Sequence, residues 1–272
     1  MKRIAAAIAI AAGTAAPGLA QQPAAPAGPT AAQMAASNNP LADMNGLNFH
    51  NYYVPSFQGT AGANANTMFL RGVMVAGRQI IRATLPFSSV PTGGGQVSGL
   101  GDFNIFDAIK LTASGASTDI GVGPMLIVPT ATDDALGSGR WQVGAAAVAI
   151  HPLSGGSLVG GLITYQTDFA GDSSRAGTSL MAVQPVVTAS MGGGYYFRST
   201  AIAALDFENS RYLVPIGMGI GRVFRVGGVI TNAFIEPQFT VYSKGAGQPA
   251  LQVFTGLCSR SRRPDPPLAG VA

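Results

Sequence analysis

Residues 229–242 read VITNAFIEPQFTVY, a stretch in which apolar and polar residues alternate with a period of two. One face carries apolar side chains, from Ala233, Ile235, Pro237, Phe239 and Val241. The opposite face is polar, with Asn232, Glu236, Gln238 and Thr240. Because successive side chains of a strand point to opposite sides, this stretch predicts a strand between an apolar and a wet environment. That is the pattern of a transmembrane β-barrel wall.

Similar strand-like segments recur along the chain without a convincing helix between them, and two of them, Leu158–Phe169 and Tyr196–Glu208, show the same charged row beside an apolar row. We place twelve segments: Leu47–Gln58, Asn66–Val75, Arg78–Phe87, Gly101–Leu111, Asp119–Thr130, Arg140–His151, Leu158–Phe169, Ser179–Met191, Tyr196–Glu208, Tyr212–Phe224, Val229–Tyr242 and Ala250–Cys258. The predicted fold class is all-β, an antiparallel up-and-down transmembrane barrel of about twelve strands.

The connections between these segments alternate in length. One set is glycine-rich or polar and generally longer: Ser88–Gly99, Ala131–Gly139, Ala170–Thr178 and Ser243–Pro249. The other set is generally tighter: Ala76-Gly77, Pro152–Ser157, Gly192–Gly194 and Arg225–Gly228. Aromatic residues cluster beside both sets, as expected where a barrel meets the two membrane interfaces. Long loops at one end and short turns at the other are typical of bacterial outer-membrane barrels.

The composition excludes two other classes. The 272 residues are 47% hydrophobic and only 10% charged, with a mean hydropathy of +0.30, which is unusual for a soluble enzyme domain. No long run of large apolar residues follows the N-terminus, so helical membrane spans are not predicted either.

The two ends of the chain differ from the body. Residues 1–20 combine a basic start, an apolar run and small residues before a cleavage point, as in a cleaved signal peptide. Residues 21–45 form a low-complexity segment that is either a disordered lead-in or a plug of the barrel lumen, and the linker alternative is favoured. The barrel is placed at 46–258, and 259–272 is an atypical Arg/Pro-rich tail.

Net charge gives no indication of nucleic-acid binding. The balance of +4 comes from the two ends, because the body between Gln21 and Ser259 holds equal numbers of basic and acidic residues. Cys258 is the one cysteine, which excludes an intrachain disulfide and predicts a small apolar strand residue.

Several motifs carry a family resemblance. They are Gly99-Leu100-Gly101-Asp102, Gly121-Val122-Gly123-Pro124, the block Val128 to Asp134 (VPTATDD), Leu136 to Trp141 (LGSGRW), Ala170-Gly171-Asp172 and Gln184-Pro185. From about Asn39 to Leu257 the chain resembles the outer-membrane family described as "MetA-pathway of phenol degradation" proteins, also called transporter-like. The resemblance implies an outer-membrane β-barrel, with passage of solutes and a link to the degradation of aromatic compounds. It implies no catalytic or binding residues.

The candidate solute pathway is the predicted inward row of charged and amide side chains. It comprises Arg78, Arg82, Asp102, Lys110, Gln166, Asp168, Arg198, Asp206, Glu208, Glu236 and Gln238. Its signs are mixed, so strong ion selectivity is not predicted, and salt-bridged packing of the lumen is at least as good an interpretation as solute binding. Glycines at 121, 123, 217, 219 and 221 are predicted to face inward and to leave room there.

No enzymatic chemistry, cofactor or metal site is predicted. His50 and His151 are interpreted as rim or interface residues without ligand partners, and Asp133-Asp134 as a solvated turn. The primary hypothesis is a passive outer-membrane channel for small, aromatic or hydrophobic compounds, whose partners are lipid and solute and not nucleic acid. The alternatives are a sealed structural or adhesive barrel and a soluble exported β-sandwich binding module; an outer-membrane lipid hydrolase is a weaker third.

Overall fold

A computed structural model describes residues 28–113 and 115–262, so the predicted signal peptide and most of the Arg/Pro-rich tail lie outside the described residues. Within these ranges there are two short helices, α1 at Ala31–Asn38 and a 3-10 turn at Ser154–Gly156. Within the described ranges no helix is long and apolar enough to cross a bilayer.

The strands are β1 Met44–Phe57, β2 Ala65–Ala76, β3 Gln79–Thr92, β4 Gly95–Leu100, β5 Phe103–Lys110, β6 Asp119–Val128, β7 Arg140–Pro152, β8 Leu158–Gly171, β9 Ser179–Gly192, β10 Tyr195–Ser199, β11 Ala203–Asp206, β12 Arg211–Gly217, β13 Gly219–Val226, β14 Val229–Lys244 and β15 Pro249–Arg262.

These segments form one closed antiparallel barrel of twelve strands. Three barrel strands are each interrupted once, which divides them into β4 and β5, β10 and β11, and β12 and β13; both parts pair with the same neighbour, as β4 and β5 do with β3. The barrel closes where β15 pairs with β1, in a register that joins Met44 to Arg262 and Tyr53 to Val253. A single closed sheet contradicts the soluble β-sandwich alternative, which requires two packed sheets.

All twelve predicted strands are present, and the largest differences at strand ends are at two places. The predicted loop Ser88–Gly99 is a hairpin, because β3 and β4 extend to a turn at Gly93-Gly94. The last strand does not end at Cys258 but continues to Arg262, and its final residues pair with β1. The boundary drawn between barrel and tail therefore lies inside a strand.

The connections define two ends of the barrel. The inner end carries the turns that follow β2, β5, β7, β9 and β13, and it also holds α1. The outer end carries the connections that follow β1, β3, β6, β8, β11 and β14.

Large apolar side chains cover the outside of the barrel. Exposed examples in mid-strand are Met68, Val143, Ile163, Ile235 and Phe239. Near the outer end the exposed aromatic side chains are Trp141, Phe169, Phe207, Tyr212 and Tyr242. An apolar exterior of this extent requires lipid around it. At the inner end Tyr195 is exposed on the outside, while its neighbour Tyr196 points into the lumen and is 1% exposed.

The segment before β1 enters the inner end of the barrel. Helix α1 begins with a capping box, in which Thr30 and Gln33 exchange hydrogen bonds between side chain and backbone. Leu41 behind the helix is fully buried among barrel residues, and its side chain fills the space above Gly121. Residues 28–43 thus occupy the barrel mouth as in the plug alternative, and not as an exposed linker.

Polar contacts add to this packing. Lys110 Nζ lies 3.2 Å from Asp43 and 4.0 Å from Asp119, and Asn39 donates to Asp119 over 2.7 Å. Asn232 on β14 donates to Asn38 Oδ1 over 3.0 Å. Several strands of the barrel therefore hold the segment that precedes β1.

The inner part of the lumen is apolar, which the sequence interpretation of a wet interior did not anticipate. Leu41 packs there with inward side chains that include Val73, Val75, Ile80, Phe106, Met125, Val148, Ile150 and Leu162. This cluster is a small hydrophobic core inside the barrel, and it anchors the plug by excluding water from Leu41.

Candidate functional site

Above the plug, the lumen contains a cavity of about 370 Å³. Its floor includes Ser37, Asn38 and Pro40 of the plug segment, and its walls come from inward-facing residues of strands all around the barrel. Cavities of this volume are at the lower end of the range that binds small organic molecules. The cavity is the candidate functional site.

Arginine dominates the charge of the cavity. Four arginines line it, at positions 71, 82, 198 and 260, and Asp102 is the one carboxylate among the described lining residues. Asp102 is engaged near the outer end, where it accepts hydrogen bonds from Ser138 N and Oγ at 2.7 and 2.8 Å.

Arg198 is the one arginine of this group that forms a salt bridge. Its Nε lies 2.7 Å from Glu236 Oε2, and Glu236 is 0% exposed. Thr200 donates to the same carboxylate from its backbone N–H at 2.8 Å and from its hydroxyl at 2.7 Å, and Gln238 donates at 3.1 Å. The Glu236 carboxylate is therefore paired with donors from the barrel wall and offers no free acceptor to a solute.

Arg71, Arg82 and Arg260 have no carboxylate within salt-bridge distance in the described ranges. The Nε atom of each is buried without a hydrogen-bond partner there. Arg260 is 8% exposed, and the Arg82 guanidinium lies over the Phe106 ring at 4.2 Å. Among the described residues, these three guanidinium groups give the cavity a positive charge that no ion pair compensates.

His50 sits inside the cavity and not at the rim, which corrects the sequence interpretation. Arg71 Nη1 lies 2.9 Å from His50 Nδ1, and Cys258 Sγ lies 3.2 Å from Nε2. Because arginine can only donate, Nδ1 is the acceptor and the imidazole hydrogen is on Nε2, facing the sulfur. His50 is thus a neutral bridge between β2 and β15, and Cys258 lines the cavity beside it.

Aromatic rings form one side of the cavity. Tyr52 stacks on Phe254 with ring centroids 4.2 Å apart, and Phe254 meets Phe234 edge-on at 4.9 Å. The guanidinium of Arg198 lies 3.5 Å from the centre of the Phe234 ring. Gly256 permits this packing, because a side chain there would collide with the Phe234 ring.

Polar side chains converge at the outer end. Arg140 forms a 2.6 Å ion pair with Asp168, and Gln166 donates to Gln142 over 2.7 Å. In the loop after β8, the hydroxyl and backbone N–H of Ser174 donate to Asp172, which holds the pKa of that carboxyl below its ordinary value. These contacts order the loops around the mouth of the barrel.

The predicted inward row divides into three groups. Arg82, Asp102, Gln166 and Arg198 line the cavity. Asp168, Glu236 and Gln238 lie in the wall, where their polar groups form ion pairs or hydrogen bonds with neighbouring side chains. The remaining members lie elsewhere.

Those remaining members have structural positions. Lys110 holds the plug, and Asp206 binds Arg211 at 3.0 Å beside the outer turn. Arg78 lies exposed in the turn after β2 and donates to the carbonyl oxygens of Lys110 and Leu111, and Glu208 is exposed in the turn before β12. For Arg78 and Glu208 the assignment to the lumen is wrong, because the strands end before them.

The inward glycines do not leave free space for a solute. The position that a side chain of Gly221 would take is filled by the Tyr196 ring, that of Gly217 by Glu236, and that of Gly121 by Leu41. The glycines accommodate large neighbours, so the room expected at these positions is already occupied.

The sequence interpretation missed several lining residues, chiefly Arg71, Arg260 and the aromatic rings. On β2 both faces are apolar after Thr67 apart from Arg71, so alternation did not distinguish inside from outside. Arg260 fell in the segment assigned to the tail. The available signal was charge itself, because a lone arginine in a membrane strand is expected to face the lumen.

The comparisons with known proteins bear on the fold. No family model matches the chain, and no curated protein matches it. An outer membrane channel from Pseudomonas putida F1 superposes with a TM-score of 0.58 at 13% identity, covering 80% of this chain and 94% of that one. At this identity the likeness shows the shared barrel fold.

Two other structures match more distantly. A bacterial polysaccharide outer membrane secretin gives a TM-score of 0.36 at 9% identity, covering 82% of this chain and 99% of that one. A mutant of Rh. blastica porin gives 0.22 at 9% identity, covering 80% and 99%.

Proposed function

We propose that the protein is a passive channel of the bacterial outer membrane for small compounds, aromatic and hydrophobic ones in particular. The observation that carries the proposal is a closed barrel with an apolar exterior around a lumen cavity of about 370 Å³ with polar and charged walls. The apolar band suits lipid, and the cavity suits a solute. The name of the P. putida neighbour supports the channel role.

The link to phenol-type degradation rests on the family resemblance of motifs such as Val128–Asp134. A cleaved signal peptide at residues 1–20 is part of the same proposal, because an outer-membrane protein must be exported. The proposal assigns the barrel no catalytic role and no cofactor.

The plug favours a second candidate, a sealed structural barrel. Helix α1 and Leu41 pack inside the inner end, where Leu41 joins a cluster of apolar barrel side chains. In the channel proposal, solutes pass by a narrow route beside this segment or after it moves. In the sealed alternative, nothing passes.

Liposome swelling separates the two candidates. Mature protein is reconstituted, and swelling is followed in iso-osmotic phenol, benzoate, arabinose and a sugar too large for the cavity. The channel proposal expects swelling with the small solutes and none with the large sugar. Heat-denatured protein is the control, and swelling no faster than this control for every solute would favour the sealed barrel.

A further inference from the structure

We propose that the lumen cavity is a binding site for small aromatic carboxylates, held by Arg71, Arg82 and Arg260 against the aromatic side of the cavity. The inference rests on the proposed function for the ligand's route to the site. A site of this kind favours anions, whereas the mixed charges of the predicted inward row indicated no strong selectivity between cations and anions.

The charge balance of the cavity calls for an anion. Burying a guanidinium group without a counter-charge is costly, and buried charges in proteins are paired as a rule. Arg198 follows this rule through Glu236, whereas the three other arginines have no carboxylate partner in the described ranges. Their Nε atoms are buried without acceptors, and Arg260 is 8% exposed. An anionic ligand would supply the missing acceptors.

Strand register brings these arginines onto neighbouring strands of one wall. Arg260 lies opposite Gly46 on β1, and Arg71 lies opposite Asn48, two residues further along the same strand. Arg82 lies opposite Val73, two residues from Arg71 on β2. Arg71 and Arg82 are diagonal neighbours on adjacent strands, and β1 lies between Arg71 and Arg260. All three side chains line the same cavity and are long, so their guanidinium groups can converge on one ligand.

A carboxylate matches the donors. The guanidinium group is planar and presents parallel N–H groups, which fit the two oxygens of a carboxylate. His50 does not compete for this role, because its Nδ1 accepts from Arg71 and so orients that side chain.

The aromatic side of the cavity favours a ligand whose carboxylate is attached to an aromatic ring. Phe254, Phe234 and Tyr52 lie on the side of the cavity next to Arg198 and His50. Edge-to-face or offset stacking of aromatic rings is favourable beyond the area that the rings bury. A cavity of about 370 Å³ has room for a single-ring acid with a few waters.

Direct binding of benzoate to the detergent-solubilised, folded barrel tests the proposal without requiring transport. Isothermal titration is performed with benzoate, with benzyl alcohol as a neutral analogue, with cyclohexanecarboxylate as a non-aromatic acid, and with inorganic phosphate. We expect saturable binding of benzoate at one site, about tenfold or more tighter than benzyl alcohol, because hydrogen bonds to charged groups contribute about 1.5–3 kcal/mol. Cyclohexanecarboxylate should bind about two- to tenfold more weakly than benzoate.

Arginine variants connect the binding to the cavity. Arg71→Gln, Arg82→Gln and Arg260→Gln should each weaken benzoate binding by about fivefold or more, and Arg82→Lys should keep part of it. Arg225→Gln is the matched control, since Arg225 is exposed at the inner turn, outside the cavity. Heat-modifiable gel migration verifies that each variant is folded, and three separate sites keep the test available if one variant fails to fold.

Several outcomes would overturn the proposal. These are no saturable binding of benzoate, equal affinity for benzyl alcohol, tighter binding of phosphate, or equal loss in Arg225→Gln. Benzoate binding without liposome swelling would remove the channel proposal and leave the site. Liposome swelling without benzoate binding would remove the binding site and leave the channel proposal.

Discussion

Glu236 is the residue on which the packing of the cavity wall depends most. It is 0% exposed, and Arg198, Thr200 and Gln238 all direct donors at its carboxylate. This hydrogen-bond network stabilises the barrel only while all of its members are present, because a buried polar group that loses its partner destabilises the fold.

Removing this charge should therefore destabilise the barrel. We expect Glu236→Gln to lower the free energy of unfolding by about 3 kcal/mol, since Arg198 would lose its counter-charge. The measurement is urea-induced unfolding in lipid bilayers. Glu208→Gln, in an exposed turn, is the control and should change little; equal stability of the two variants would contradict the assigned role of Glu236.

Gly221 provides a second test at the residue scale. The Tyr196 ring occupies the space that a side chain at 221 would need, and its hydroxyl donates to Asn232 over 2.6 Å. Gly221→Ala should therefore lower the temperature of the heat-modifiability transition, with a cost of about 1–3 kcal/mol from overpacking. Gly72→Ala on β2, where nothing lies within 4 Å, should leave that temperature unchanged. A smaller effect at 221 than at 72 would refute this packing.

Single residues also mark the limit of prediction from sequence. The inward position of Arg82, Glu236 and Gln238 followed from alternation, because one face of each strand had to be polar. The convergence of Arg71, His50 and Arg260 depends on the register of β1 with both β2 and β15, and β15 lies at the opposite end of the chain from β1. A local pattern contains no information on that pairing.

At the scale of elements, helix α1 packs inside the inner end of the barrel through Met34. It is short, and its hold on the barrel depends on tertiary contacts more than on helix propensity. Leu41, which follows the helix, is fully buried, and this burial contributes about 1.5–3 kcal/mol.

Charging this contact should release the plug. We expect Leu41→Asp to increase arabinose permeation in liposomes several-fold, while the heat-modifiable migration of the barrel is retained. Ala32→Asp is the control, because Ala32 is exposed in the first turn, where an acidic side chain favours the helix. Unchanged permeation in Leu41→Asp would show that the plug does not limit passage.

The elements differ in how visible they were in the sequence. Strands were predictable because each must present an apolar face to lipid, and this demand acts on every second residue. The extended hairpin at Gly93-Gly94 was missed because its glycines and serines resemble a loop. Helix α1 was missed because residues 21–39 have few large apolar residues, although Thr30 and Gln33 form a recognisable capping box.

At the scale of the whole molecule, one face of each strand is turned to the outside of the barrel and the other to the lumen. Ile163 and Thr164 on β8 are adjacent and point to opposite faces, with Ile163 exposed and Thr164 lining the cavity. An arginine near the bilayer midplane costs about 2–4 kcal/mol on the lipid face.

This difference predicts a contrast between two neighbouring variants. Ile163→Arg should reduce the fraction of protein that folds into lipid vesicles, and Thr164→Arg should fold nearly as well as the parent. The folded fraction is read from heat-modifiable migration on gels. The opposite order would mean that the two faces are assigned the wrong way round.

Reversal potential in a planar bilayer tests the central claim, a conducting lumen lined by uncompensated arginines, most directly. Purified protein is inserted into the bilayer, and the current is recorded across a tenfold gradient of potassium chloride. The account predicts a small, discrete conductance with a reversal potential displaced towards that of chloride, and a smaller displacement in Arg82→Gln. Absence of current, or a displacement towards the potassium potential, would contradict it.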